Sequence, residues 1–135
     1  MTSLIIGISS GILIIFIFVI LKSFDKQVVY GLILTGIGFI YIGFTWTDLE
    51  SLIINSTQAL VFLLLAYFGI NKSVYILSIG YFLHGSWDIA YDLLGQPNLI
   101  PPHYDVFCLS IDFTIGIYLL IFAKSVKSKF KISTV

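Results

Sequence analysis

The sequence predicts an all-α protein, an integral membrane bundle of five transmembrane helices. Three observations lead there. Apolar side chains make up 59% of the chain and charged ones only 10%, far from the balance of a water-soluble domain. Stretches of about 20 mostly apolar residues, enough to cross the hydrocarbon of a bilayer, can be marked off five times. These stretches are continuously hydrophobic, as in Ile12–Ile20 and Leu60–Ala66, where the alternation of a membrane β-barrel is missing. Helices also satisfy their own backbone hydrogen bonds, as lipid demands.

The helices are expected at 3–22, 28–45, 49–70, 74–94 and 106–124. The first lacks a basic leading region and a small-residue cleavage site, so it reads as a retained helix instead of a secretory signal. The breaks are 22–27, 46–48, 71–73 and 95–105, all too short to hold a domain. Residues 1–135 therefore form one transmembrane domain, ending in a basic tail at 125–135. The single Cys108 excludes an intramolecular disulfide framework.

Charge placement sets the orientation. The seven basic and seven acidic side chains cancel, leaving no basic field to hold nucleic acid. Lys22 and Lys26 precede helix 2, Lys72 precedes helix 4, and Lys124, Lys127, Lys129 and Lys131 lie at or beyond the end of helix 5. In a five-span chain all seven fall on one side. Asp48, Glu50 and Asp105 fall on the other. The positive-inside rule then puts the N-terminus outside and the C-terminus in the cytoplasm of a cell (plasma or inner) membrane. The tail is a topology determinant with weak affinity for anionic lipid.

Small residues mark close helix approaches: Gly7 and Gly11 in helix 1, and Gly31, Thr35, Gly38 and Gly43 in helix 2. Packing within the chain is the expected use of Gly7 and Gly11, with homo-oligomer formation as the alternative. Trp46 and Trp87 read as interfacial anchors.

The chemistry concentrates in helices 3 to 5. His84, Asp88 and Asp92 are four apart and share a face of helix 4, with Tyr81 and Tyr91 beside them. Each four-residue step rises about 6 Å, so one ion fits between His84 and Asp88, or between Asp88 and Asp92, but not across all three. Asp105, Cys108 and Asp112 form a stripe on helix 5. Helix 3 brings Glu50 at its mouth, with Asn55, Thr57 and Gln58 deeper. Alternating helix directions place these groups in the outer half of the bundle, beneath a loop holding Pro97, Pro101, Pro102 and His103.

A carboxylate at mid-membrane costs about 2.5 to 3.5 kcal/mol on insertion scales, and no Lys or Arg is placed to neutralise Asp88 or Asp112. The compensation must be a divalent metal ion, a proton, a protonated His84 or a cationic ligand. The candidate catalytic residues are Glu50, His84, Asp88 and Asp112, with Glu50 as general base. The candidate metal ligands are His84, Asp88, Asp92 and Asp112. Imidazole and carboxylate suit zinc, manganese or another divalent ion, which leaves the metal's identity open.

The run His84-Gly-Ser-Trp87-Asp88-Ile-Ala-Tyr91-Asp92-Leu-Leu-Gly95-Gln-Pro97, with Leu49-Glu50 upstream and Cys108-Leu-Ser-Ile-Asp112 downstream, resembles a family of small bacterial multi-pass membrane proteins known only as a domain of unknown function. The resemblance covers about residues 43–125 and rests on the His-x-x-Trp-Asp motif. In that family the positions of Tyr91 and Asp92 are commonly a His pair. This chain departs there, so no metal preference carries over. The resemblance implies a multi-pass membrane protein with Glu50, His84, Asp88 and Asp112 in one site.

Three functional classes fit. One is a metal-assisted or acid/base enzyme acting on a lipid-like, amphiphilic substrate. The second passes a proton or cation, although the inner halves of helices 4 and 5 look almost wholly apolar. The third is a ligand-binding or assembly subunit, its aspartates protonated and hydrogen-bonded between helices. Nucleotide-binding, serine-hydrolase and Cys-x-x-Cys signatures are absent from the sequence.

Overall fold

The computed structural model describes residues 1–94 and 97–127, and among these the regular structure is wholly helical. Five long helices are α1 (Thr2–Ile20), α2 (Lys26–Thr45), α3 (Leu49–Asn71), α4 (Val74–Leu94) and α5 (Tyr104–Ile121), followed by a short α6 (Ala123–Val126). A single 3₁₀ turn, Pro97–Leu99, lies between α4 and α5. Lys129 and Lys131, like most of the expected basic tail, lie outside the described residues.

Local chemistry sets the boundaries. Asp25 caps α2 by accepting from the Val28 amide at 3.2 Å, and Asp48 caps α3 by accepting from the Ser51 amide at 2.8 Å, each meeting an amide that the helix itself cannot satisfy. The Ser51 hydroxyl and amide hold the Asp48 carboxyl below its usual range. That cap is therefore intact at neutral pH and is lost as pH falls through the lowered value. The fifth helix differs from expectation at both ends. It begins at Tyr104 behind His103, whose φ of 63° places it in the left-handed region. It stops at Ile121, because Phe122 leaves helical geometry, and resumes as α6.

α1, α2, α3 and α5 are long and apolar enough to cross a membrane. α4 matches them in length, with 21 residues, but His84, Ser86, Asp88 and Asp92 lower its hydropathy. It is also the most enclosed helix, packed chiefly on α5 and further against α3 and α2. α2 and α3 form an antiparallel hairpin, while α1 lies mainly on α5.

The burial pattern is inverted relative to a soluble protein. Leu13, Phe16, Ile53, Leu64 and Leu120 are each at least 50% exposed, whereas Asn55, Gln58, Ser78, His84, Asp88 and Asp112 are buried. An apolar exterior of this extent is stable against lipid and not against water.

Close approach explains how α1 docks. Its buried residues are Gly7 and Gly11, and a Cβ on Gly11 would stand 2.9 Å from Thr114 Cβ on α5. At Gly7 it would collide with Ser110 and with the Phe107 carbonyl. The Gly-x-x-x-Gly is thus used within the chain. Gly11→Leu is expected to lower stability by about 1–3 kcal/mol through overpacking. The outward-facing Ile12→Leu should stay within about 0.5 kcal/mol of wild type. Thermal unfolding of the detergent-solubilised protein compares them, and equal midpoints would remove this account of the α1–α5 contact.

Candidate functional site

The i, i+4 spacing on α4 puts His84 and Asp88 on one face, and α5 supplies Asp112 opposite them. What brings the two helices together is small-residue packing. A Cβ on Gly85 would lie 3.1 Å from Phe113, and one on Gly116 3.0 Å from Phe82, so α4 and α5 have no room for larger side chains there. At that separation His84 Nδ1 lies 2.8 Å from Asp112 Oδ2 and 3.6 Å from Asp88 Oδ2. Exposure is 1% for His84, 0% for Asp88 and 2% for Asp112. One ligand atom from each of the three falls within 4.8 Å of the others.

Depth follows from helix rise. His84 is ten residues from either end of α4, about 15 Å from each rim, and Asp112 is about 12 Å into α5. The pair therefore sits near the middle of both helices, with Asp88 one turn closer to the end of α4.

The surroundings are polar and incompletely paired. His84 Nε2, both Asp88 oxygens, both amide atoms of Gln58, Asn55 Oδ1, Trp87 Nε1 and the hydroxyls of Tyr41 and Tyr91 are buried and lack a hydrogen-bond partner. Asn55 uses its amide nitrogen to donate to Thr45 Oγ1 at 3.2 Å. Tyr41, from α2, lies beside Asp88 without closing a well-formed hydrogen bond. Its ring stacks edge-on with Tyr91 at 5.3 Å and Tyr104 at 6.2 Å. Phe62 of α3 meets the His84 ring edge-on at 4.8 Å. An unsatisfied buried polar group costs about 1–3 kcal/mol, so these atoms weigh on the stability of the bundle unless something pairs them.

Four sequence expectations land elsewhere. Glu50 is exposed in the first turn of α3, one residue out of register with the buried stripe Ser51, Asn55, Gln58 and Phe62. Asp92 is exposed one turn beyond Asp88, where the bundle no longer covers α4. Neither joins the three-residue group. Thr57 is exposed and donates back to the Ile53 carbonyl at 2.9 Å. His103 is exposed as well. Trp87 differs from the anchor expected of it: its indole nitrogen is buried and its ring packs near Tyr91 at 6.3 Å. Exposed Trp46, 71% accessible at the end of α2, has the surroundings of an anchor. Cys108 is a half-buried free thiol beside Tyr104, and Asp105 is half-buried.

The chain matches, over residues 2–125, a family of unknown function designated DUF6010. It belongs to that family. No curated protein and no solved structure matches it significantly. The family extends over α1 and α2, further toward the N-terminus than the resemblance at 43–125. Both helices have a structural role consistent with that: α1 braces α5, and α2 supplies Tyr41. Tyr41 and Phe62 were missed by sequence reasoning. The only signal was that both fall on faces with small or polar residues, Gly38 and Thr45 on α2 and Asn55, Gln58 and Ala59 on α3.

Because His84 stands between two buried carboxylates, its removal leaves both uncompensated. His84→Ala is expected to destabilise the protein by about 3–5 kcal/mol. Asp112→Asn, which keeps an oxygen facing Nδ1, should cost less. Denaturant unfolding of detergent-purified variants gives the order, and a neutral His84→Ala would show that the three side chains do not act as a unit.

Proposed function

We propose that this is a five-span protein of the cell membrane that binds one divalent cation at His84, Asp88 and Asp112 and uses it for metal-assisted or acid/base chemistry on an amphiphilic substrate. The convergence of three ligand atoms within 4.8 Å, at a buried point of the bundle, carries the reading. Two carboxylates bring a charge of −2 when ionised, and among the described residues the ion pairs they form are with His84. A divalent cation balances that charge in full. One imidazole and two carboxylates leave coordination positions open, as in catalytic sites.

Asn55, Gln58, Tyr41 and Tyr91 would orient water or substrate beside the cation, since each carries a buried polar atom without a partner. Glu50 is left out of this machinery because of its exposed position, and Asp92 is left out of the ligand set for the same reason. The five-span reading counts α4, whose 21 residues fall between the 18 of α5 and the 23 of α3 and whose polar face is enclosed. Lys22, Lys26, Lys72, Lys124 and Lys127 then lie at one end, which the positive-inside rule assigns to the cytoplasm.

A proton relay is less well supported. On the inner side of the centre the Tyr81 hydroxyl donates to the Tyr30 carbonyl at 2.8 Å, and Ser78 donates to the Gly116 carbonyl at 2.8 Å. Both hydroxyls are spent on backbone.

Elemental analysis of detergent-purified protein tests the proposal. About one equivalent of a divalent metal is expected in wild type, Glu50→Gln and Asp92→Asn, and a loss of at least about tenfold in affinity is expected in His84→Ala and Asp88→Asn, the scale of losing a ligand or its support. Metal-free wild type that does not take up zinc or manganese on titration would overturn it.

A further inference from the structure

One carboxylate of the centre has no close partner. His84 Nδ1 and Asp112 Oδ2 are hydrogen-bonded at 2.8 Å, while Asp88 Oδ2 stands 3.6 Å from the same nitrogen, beyond hydrogen-bond reach. Both Asp88 oxygens are buried and unpaired. A carboxylate that ligates a metal is ordinarily oriented by a further hydrogen bond from outside the ligand set, because without one it is free to leave for another rotamer. The seam between α3 and α4 offers no such bond: it is a groove of about 370 Å³ beside Phe62, walled by apolar Leu65, Leu83 and Ala90.

The donor is on α2. Tyr41 is 1% exposed, lies beside Asp88, and carries a buried hydroxyl without a partner of its own. Three features fix its place. The ring meets Phe44 at 6.3 Å, Tyr91 at 5.3 Å and Tyr104 at 6.2 Å, each edge-on, so α2, α4 and α5 all hold it. Thr45 donates to the Tyr41 carbonyl at 2.8 Å and accepts from the Asn55 side-chain amide at 3.2 Å, which ties the backbone at Tyr41 to α3. One turn earlier, a Cβ on Gly38 would stand 3.1 Å from Phe62 Cβ, so α2 and α3 approach closely at that level. What stays free is the hydroxyl hydrogen, which turns about its C–O bond. Of the acceptors beside it, the Cys108 thiol is weak and already faces Tyr104, whereas a carboxylate oxygen forms the stronger bond.

We propose that Tyr41 is a positioning residue of the centre: its hydroxyl donates to the Asp88 carboxyl and holds that carboxyl turned toward His84. The effect on cation binding rests on the reading of His84, Asp88 and Asp112 as ligands, but the contact itself does not. Tyr41 acts through Asp88, and α2 thereby takes part in the centre without supplying a ligand.

Two measurements on detergent-purified protein separate the contact from the cation. Infrared spectroscopy of chelator-treated protein carrying isotope-labelled aspartate identifies the Asp88 carboxyl band as the one that Asp88→Asn removes. Tyr41→Phe, which keeps the ring and its packing, is expected to shift that band. Tyr30→Phe deletes another buried, unpartnered hydroxyl on the same helix, about 16 Å away along the axis, and is expected to leave the band in place. Titration with manganese then reads the centre: Tyr41→Phe should weaken binding by about ten- to a hundredfold, Tyr30→Phe should not change it, and in an Asp88→Asn background Tyr41→Phe should add no further loss. A role confined to packing would weaken binding equally in both backgrounds. An Asp88 band that stays put in Tyr41→Phe, or an equal loss in the Asp88→Asn background, would overturn the proposal. Wild type that takes up neither manganese nor zinc would remove the cation reading alone, and the infrared band then decides for or against Tyr41.

Discussion

Two aspartates and a histidine share a space near the middle of the bundle, and the terms on which they can be buried constrain the rest of the architecture. Unlike charges in water, these cannot be screened by solvent, and their attraction or repulsion acts at a low effective dielectric. His84 at 2.8 Å from one carboxylate and 3.6 Å from the other compensates part of that charge. A cation or proton must supply the remainder. Positions that bear no charge serve this arrangement: Gly85 and Gly116 let α4 and α5 approach closely enough for the imidazole to reach across, and Phe62 closes the α3 side.

The same constraint explains why the interior is polar and the exterior apolar. With lipid outside, no hydrophobic force gathers the helices, so packing of small residues and hydrogen bonds between helices hold them instead. Tyr81 donates to the Tyr30 carbonyl, Gln27 to the Gly69 carbonyl at 2.7 Å, and Ser78 to the Gly116 carbonyl, each joining two helices. α4, the helix least able to face lipid, is the one its neighbours enclose. α1, whose buried residues are glycines, is the one left outermost.

Much of this was legible in the chain. The all-helical character and the five long helices followed from apolar run lengths, although only four of the five are apolar enough to count as membrane spans and the short α6 was not expected; the bounds of α4 coincide with the expected 74–94 because Lys72 and the Pro-rich segment interrupt hydrophobicity on both sides. His84 and Asp88 were paired by their four-residue spacing, which is a property of the helix alone. The same spacing argument overreached for Asp92: it fixes a shared face but not how far neighbouring helices extend to cover that face. Glu50 was drawn in by its closeness to Asn55 and Gln58 along the chain, although the register of α3 turns it out of the stripe they share.

Composition and periodicity alone therefore determined that the chain is helical, that its outer surface is apolar, and that unbalanced carboxylates lie among its helices, because each of these depends on residue type and on spacing within one helix. Which carboxylates meet was decided by tertiary structure. Asp112 joins His84 and Asp88 because α5 approaches α4 across glycine, Tyr41 arrives from α2, and the groove beside Phe62 takes its walls from both α3 and α4. Distances between helices arise from the fit of one surface against another, and that fit is written in no single segment of the chain.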